Sequence, residues 1–306
     1  MPFTFIPSKG ILSRRQFLSA CALSALCPLF SALPTGANPK ASSAIKIWHI
    51  PLDSTTPASA YKTLGMPGSL IKLLDTMVLL ENRLLHPDKP FECRGWTDPK
   101  LTPGLLQGQP MHCSHPHGMV TLSDAIAVSC NAYFANAISK ISPAQFQRMW
   151  QLCFPKRPLE QSPTQATLFA YALGCSPQAN LSAGDLLDWM RFIAKPDTTK
   201  TTSHPEISPE LQAISPNTWG MLRHAMRGAA RWGTGKNADQ KDRYQLALKT
   251  GTTRRGKLYQ SWAAGFYPFD SPSHIFCVRA FSGTSEATAI PALRNYFIKI
   301  QTKGAY

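Results

Sequence analysis

Residues 67–80 read Pro67-Gly68-Ser69-Leu70-Ile71-Lys72-Leu73-Leu74-Asp75-Thr76-Met77-Val78-Leu79-Leu80. Pro67-Gly68 breaks the chain, and the run from Ser69 to about Leu85 is apolar nearly all round. A helix with that pattern belongs in the middle of a protein rather than on its surface. Lys72 is embedded in it, three residues after Ser69 and therefore on the same face. A serine hydroxyl is a poor nucleophile until a base removes its proton. At the amino end of a helix Ser69 meets the positive end of the helix dipole. A buried lysine beside other cations has its pKa lowered toward that of a useful base. The competing reading, a lysine that snorkels to the surface, fits poorly inside Leu70-Ile71-Lys72-Leu73-Leu74.

Two more short motifs follow in order. Ser129-Cys130-Asn131 begins 60 residues after Ser69, and Lys249-Thr250-Gly251-Thr252 begins 118 residues after Asn131. Alone, each reads as incidental polar residues. Together they supply a nucleophile, a base, a relay and a carboxylate site. Ser129 can carry a proton between Lys72 and Lys249, and Asn131 can hydrogen-bond a substrate amide. Lys249 adds positive charge, the Thr250 and Thr252 hydroxyls can bind a carboxylate, and Gly251 leaves the strand bare where a substrate passes. A substrate can then add to this edge as a further strand.

The rest of the chain predicts an α+β architecture: an antiparallel sheet flanked by helices, plus an all-helical lobe. Residues 41–66 read as extended, with an edge strand. One helix is expected from Leu122 through Ser129 and Asn131 to Ile138, with others at 143–153, 182–194 and 216–231. Ser182 and Asp185 make a capping-box start, and Ser215-Pro216 suits a first turn. Residues 195–212 read as a surface loop. Tyr244–Thr250, Ser261–Tyr267 and Ile275–Phe281 read as strands, and a helix from Glu286 to Thr302 closes the chain.

The chain has 306 residues and a formal charge of +15. Ser13-Arg14-Arg15-Gln16-Phe17-Leu18 matches a twin-arginine export pattern, followed by a mildly apolar run and Thr35-Gly36-Ala37, a small-x-small cleavage site. Residues 1–37 are read as an export signal and residues 38–306 as one domain. The alternatives are an uncleaved anchor, for which the run is short, and a lipobox at Leu18-Ser19-Ala20-Cys21. An exported basic protein is drawn to anionic envelope polymers. No nucleic-acid motif or internal repeat is present. Six cysteines follow the signal: Cys93, Cys113, Cys130, Cys153, Cys175 and Cys277. Cys93 and Cys113 flank a hairpin-like stretch and are the best pair for a disulfide, with free thiols beside it in the leading reading. The run His112-Cys113-Ser114-His115-Pro116-His117, with Cys93 or Cys130, is the alternative, a zinc cluster. The site assignment includes no metal, and no cofactor is expected.

The three motifs in this order resemble those of penicillin-binding proteins of the class B type. Pro67-Gly68-Ser69-Leu70-Ile71-Lys72 matches that family's Pro-Gly-Ser-x-x-Lys. The stretch His117-Gly118 to Ser129-Cys130-Asn131-Ala132-Tyr133-Phe134 is similar to its second-motif helix. Trp232-Gly233-Thr234-Gly235 with Leu248-Lys249-Thr250-Gly251-Thr252, and Ser261 to Pro268, resemble its third-motif loop and strands. Gly174-Cys175-Ser176 stands where the family has Gly-Gln-Gly. The resemblance covers roughly residues 45–300 and implies a penicillin-binding transpeptidase or β-lactamase-like fold. It implies catalytic Ser69, Lys72, Ser129 and Lys249, substrate-binding Asn131, Thr250, Gly251 and Thr252, and an oxyanion hole of the Ser69 and Thr252 backbone amides.

The implied activity is D,D-transpeptidation of peptidoglycan stem peptides ending in D-Ala-D-Ala, through a Ser69 acyl-enzyme. β-Lactams would be covalent inhibitors, and envelope proteins possible partners. Action would lie in the periplasm or cell envelope. A D,D-carboxypeptidase would use the same residues with water as acceptor. A β-lactamase needs a positioned base for deacylation, and no Glu-x-x-Leu-Asn occurs between the second and third motifs; Glu160 is followed by Gln-Ser-Pro. A non-catalytic sensor or scaffold has no need of Ser69, Lys72, Ser129 and Lys249 together.

Overall fold

The structure, a computed structural model, describes residues 45–97, 111–159, 161–195, 209–255 and 258–302. The export segment at 1–37, Glu160 and most of the 195–212 stretch lie outside the described residues. The described elements in chain order are β1 (Lys46–Pro51), a 3₁₀ turn (Gly68–Ile71), α1 (Lys72–Glu81), β2 (Phe91–Cys93), β3 (Gly118–Val120), α2 (Leu122–Ala127), α3 (Asn131–Ile138), α4 (Pro143–Cys153), α5 (Leu168–Ala172), α6 (Ala183–Ala194), α7 (Pro209–Gln212), α8 (Pro216–Arg231), β4 (Ala247–Arg255), β5 (Leu258–Tyr267), β6 (His274–Ala280) and α9 (Ile290–Thr302).

The main sheet has the order β1-β6-β5-β4 and is antiparallel throughout, so β4 is an edge. Side chains alternate between its faces with period two. Trp262, Ala264 and Phe266 of β5, with Ile275 and Cys277 of β6, join the core of the helical lobe. Ala263 and Tyr267, with Phe276 and Val278, pack instead with Leu293 and Phe297 of α9. Both faces of β5 and β6 are therefore covered, which is why these strands read as apolar runs rather than alternating ones. β2 and β3 form a separate antiparallel pair, with Cys93 opposite Gly118.

Local capping agrees with the sequence. Ser142 and Ser182 close capping boxes with Gln145 and Asp185, each satisfying two backbone amides. Three expectations are corrected. The nucleophile helix begins as a 3₁₀ turn and its α-helix ends at Glu81 rather than Leu85. The single helix expected over 122–138 is two, α2 and α3, parted at Val128–Cys130, where Ser129 takes φ +55°. The disulfide expected between Cys93 and Cys113 is absent; both thiols are free, with sulfurs 3.7 Å apart. No helix among the described residues is long and apolar enough to cross a membrane.

Candidate active site

The segment leading into Ser69 is tied to the sheet before the turn begins. Arg279 of β6 is buried against the Trp262 ring and donates to the carbonyls of Thr63 and Leu64 at 2.6 and 2.7 Å. Trp262 Nε1 and Gln260 Nε2 of β5 both donate to Met66 O. The chain then turns through Gly68 at φ +58°, whose amide donates to Gly174 O at 3.0 Å. A Cβ at Gly68 would lie 2.8 Å from Thr252 O, and one at Gly251 would lie 2.3 Å from Pro67 O. The 3₁₀ turn bearing Ser69 and the β4 edge thus meet backbone to backbone. Gly251 is required by that approach, a different reason from room for a passing substrate.

Lys72 starts α1 and is fully buried. Its Nζ donates to Ser129 O at 2.8 Å and to Asn131 Oδ1 at 2.7 Å, and lies 3.4 Å from Ser129 Oγ. Lys249, also fully buried, donates to the same Ser129 Oγ at 2.9 Å and to Thr250 O at 2.9 Å. The left-handed backbone at Ser129 places its hydroxyl between the two lysines. Asn131 is held from its other end, its Nδ2 donating to His112 O at 2.8 Å.

Burial pushes the Lys72 ammonium down to about 8. Burial, and then the charge of Lys72, holds Lys249 well below the usual lysine range. Asp75, one turn along α1, is fully buried, and burial raises its carboxyl well above the usual range. The Lys72 charge opposes that shift, and Asp75 in turn favours the Lys72 ammonium less than burial disfavours it. Two lysines that share one hydroxyl, both with their ammonium forms disfavoured by burial, can pass a proton through it.

The first motif contributes through its backbone and Lys72; no hydrogen bond to Ser69 Oγ is made among the described residues, and Ser69 is half-buried. Thr250 is buried, with its Oγ1 2.7 Å from Thr234 Oγ1. Thr252 Oγ1 donates to Ser285 Oγ at 3.1 Å and accepts from the Ser285 amide at 3.0 Å. Both hydroxyls expected to bind a carboxylate therefore have protein partners. Thr234, Ser285 and the His112 carbonyl were not among the sequence candidates. Thr234 lies in the quoted Trp232–Gly235 stretch, whose fixed place is visible only in three dimensions: its amide donates to Ala127 O at 3.1 Å. The other two carry no sequence signal.

Residues 163–294 match the family model of the penicillin binding protein transpeptidase domain. That stretch contains Lys249–Thr252 but neither Ser69 nor Ser129. Among solved structures, the chain is similar to the D,D-transpeptidase domain of a peptidoglycan glycosyltransferase from Eggerthella lenta, with TM-score 0.60 and 17% identity over 83% of this chain and 70% of that one. It is similar to the transpeptidase domain of penicillin-binding protein 3 from Burkholderia pseudomallei, with TM-score 0.64 and 16% identity over 85% and 88% of the two chains. Helicobacter pylori penicillin-binding protein PBP2 gives TM-score 0.64 and 16% identity over 81% of this chain, which spans 51% of that protein. No curated protein matches the chain. Residues 163–294 thus match the penicillin-binding transpeptidase family model, and the chain shares the α+β fold of solved transpeptidase domains.

Proposed function

We propose that the chain is a serine D,D-transpeptidase acting on the D-Ala-D-Ala ends of peptidoglycan stem peptides. The observation that carries this reading is the Ser129 hydroxyl, within reach of two buried lysines from separate motifs, beside the turn that bears Ser69. Ser69 Oγ attacks the carbonyl of the penultimate D-Ala, and neutral Lys72 takes its proton. The oxyanion is met by the backbone amides of Ser69 and Thr252. The proton passes through Ser129, poised by Lys249, to the leaving amine, and free D-Ala departs. The amine of a second stem attacks the ester carbonyl, forms the new amide and returns Ser69 to its hydroxyl. Asn131 aligns the substrate amide, and Thr234 with Thr250 and Thr252 receives the terminal carboxylate. The substrate lies outside the cytoplasm, so the twin-arginine pattern is read as the route out.

Mass spectrometry of the purified chain with a penicillin tests the reading. The expected result is one adduct on Ser69 that persists for minutes or longer. Adduct formation by Ser69→Ala would overturn the nucleophile. Many fast turnovers of nitrocefin would make the protein a β-lactamase. With a synthetic stem peptide and an amine acceptor, release of D-Ala with only hydrolysis products would make it a carboxypeptidase.

A further inference from the structure

Behind the second motif, four side chains that the proposed reaction does not use converge. Cys93 ends β2, Cys113 and His117 lie on the segment entering β3, and Cys130 is the N-cap of α3. Their ligand atoms all lie within 4.8 Å of one another. Cys93 Sγ and Cys113 Sγ are 3.7 Å apart, Cys113 Sγ and Cys130 Sγ 3.8 Å, and Cys93 Sγ and His117 Nδ1 3.4 Å. A disulfide brings sulfurs to about 2.05 Å. Zinc–sulfur bonds of about 2.3 Å and zinc–nitrogen bonds of about 2.0–2.1 Å, at the tetrahedral angle, set edges of about 3.8 Å between sulfurs and about 3.5 Å from sulfur to nitrogen. These three spacings match those edges, and the remaining pairs lie within 4.8 Å, close enough for one ion.

Two backbone amides face the sulfurs. The Ala132 amide donates to Cys113 Sγ and the Tyr133 amide to Cys130 Sγ, each at 3.4 Å. Backbone N–H groups aimed at sulfur are the kind of outer contact that holds metal thiolates. Cys93 and Cys130 are buried, and Cys113 and His117 half-buried. His117 Nε2 is buried with no hydrogen-bond partner among the described residues, so the ring's polar contact is with the cluster.

We propose that Cys93, Cys113, His117 and Cys130 bind one zinc ion that ties the β2–β3 pair to the second motif. Three thiolates and one imidazole complete four-coordination, which makes the ion structural. Loading releases the thiol protons to solvent. Cys130 stands between Ser129 and Asn131, and Cys113 follows His112, whose carbonyl holds Asn131. The ion therefore fixes the backbone on both sides of the Asn131 side chain and anchors the residue next to the strained Ser129 turn. The four residues are positioning residues for the site.

The test uses tag-free full-length protein purified without chelator. Elemental analysis should give about one zinc per chain, and cobalt exchanged into the same protein should show thiolate-to-cobalt charge-transfer bands with intense tetrahedral d–d absorption. Cys113→Ser and His117→Ala should lose the metal, whereas Cys175→Ala should keep it. Strong chelation should lower Tm and slow penicillin acylation by tenfold or more, with recovery on adding zinc. Metal-free protein with a Cys93–Cys113 disulfide, or with Cys93, Cys113 and Cys130 all titrating as free thiols and no cobalt spectrum, would overturn the site. Bound zinc with acylation and Tm unmoved by its removal would overturn the positioning role. Metal content is read without substrate, so it stands or falls apart from the transpeptidase assignment.

Discussion

Lys72 and Lys249 reach the Ser129 hydroxyl from different motifs, at 3.4 and 2.9 Å, and both are fully buried. Burial penalises the ammonium form, so the Lys72 amine loses its proton at about pH 8 rather than in the usual lysine range. The neutral amine is the base in the proposed reaction. The rate of penicillin acylation should therefore rise about tenfold per unit from pH 6 to near 8 and flatten above it. A fluorescent-penicillin labelling series reads this directly; a profile flat between pH 6 and 8 would remove Lys72 from the base role. Lys72→Ala should cost about 10²–10⁴ in that rate, and Asn131→Ala less, because Asn131 aligns rather than carries the proton. At this scale the sequence was informative about identity and silent about partners. A lysine among leucines already implies burial. That its Nζ spends two of its hydrogen bonds on Ser129 O and Asn131 follows from the left-handed Ser129 backbone, which no local residue preference announces.

The element that aligns the site is the contact between the 3₁₀ turn 68–71 and the β4 edge, made by glycines on both sides. Gly174 adds a third: a Cβ there would lie 2.2 Å from Gly68 O. Gly251→Ala would push Pro67 O away and separate the turn from Thr252. Overpacking of this kind costs about 1–3 kcal/mol, so Tm should fall by several degrees. Small misplacements of reacting groups cost up to about 10²-fold in rate, and acylation should drop by more than the stability loss explains. Wild-type acylation at a temperature where the variant is fully folded would show that the approach is not needed. Helices with strong caps, α4, α6 and α8, were legible to within a residue because serine, proline and acidic or amide partners mark their starts. The α2–α3 break was not, because apolar spacing runs on from Leu122 to Ile138. The break falls at Ser129, whose left-handed backbone aims its hydroxyl at two lysines.

At the scale of the whole molecule, a signal, a redox state and a metal site bear on one another. The α+β plan was visible because strands and helices separate along the chain, whereas the pairing of β1 with β6, across more than 200 residues, was not. The cysteine pattern was the hardest part: three thiols and an imidazole spaced over residues 93–130 converge only once β2, β3 and α3 have formed. Zinc loading needs those thiols reduced, and oxidising compartments favour disulfides. Export of an already folded, loaded chain reconciles the two, which is what the Arg14-Arg15 pattern is read to provide. Replacing both arginines, Arg14→Lys with Arg15→Lys, should leave the precursor in the cytoplasm, with the wild type appearing outside as a chain beginning at Asn38. Cell fractionation with amino-terminal sequencing measures both. Normal export of the double variant would assign another route, and the cluster would then have to acquire its metal, with its thiols still reduced, after crossing.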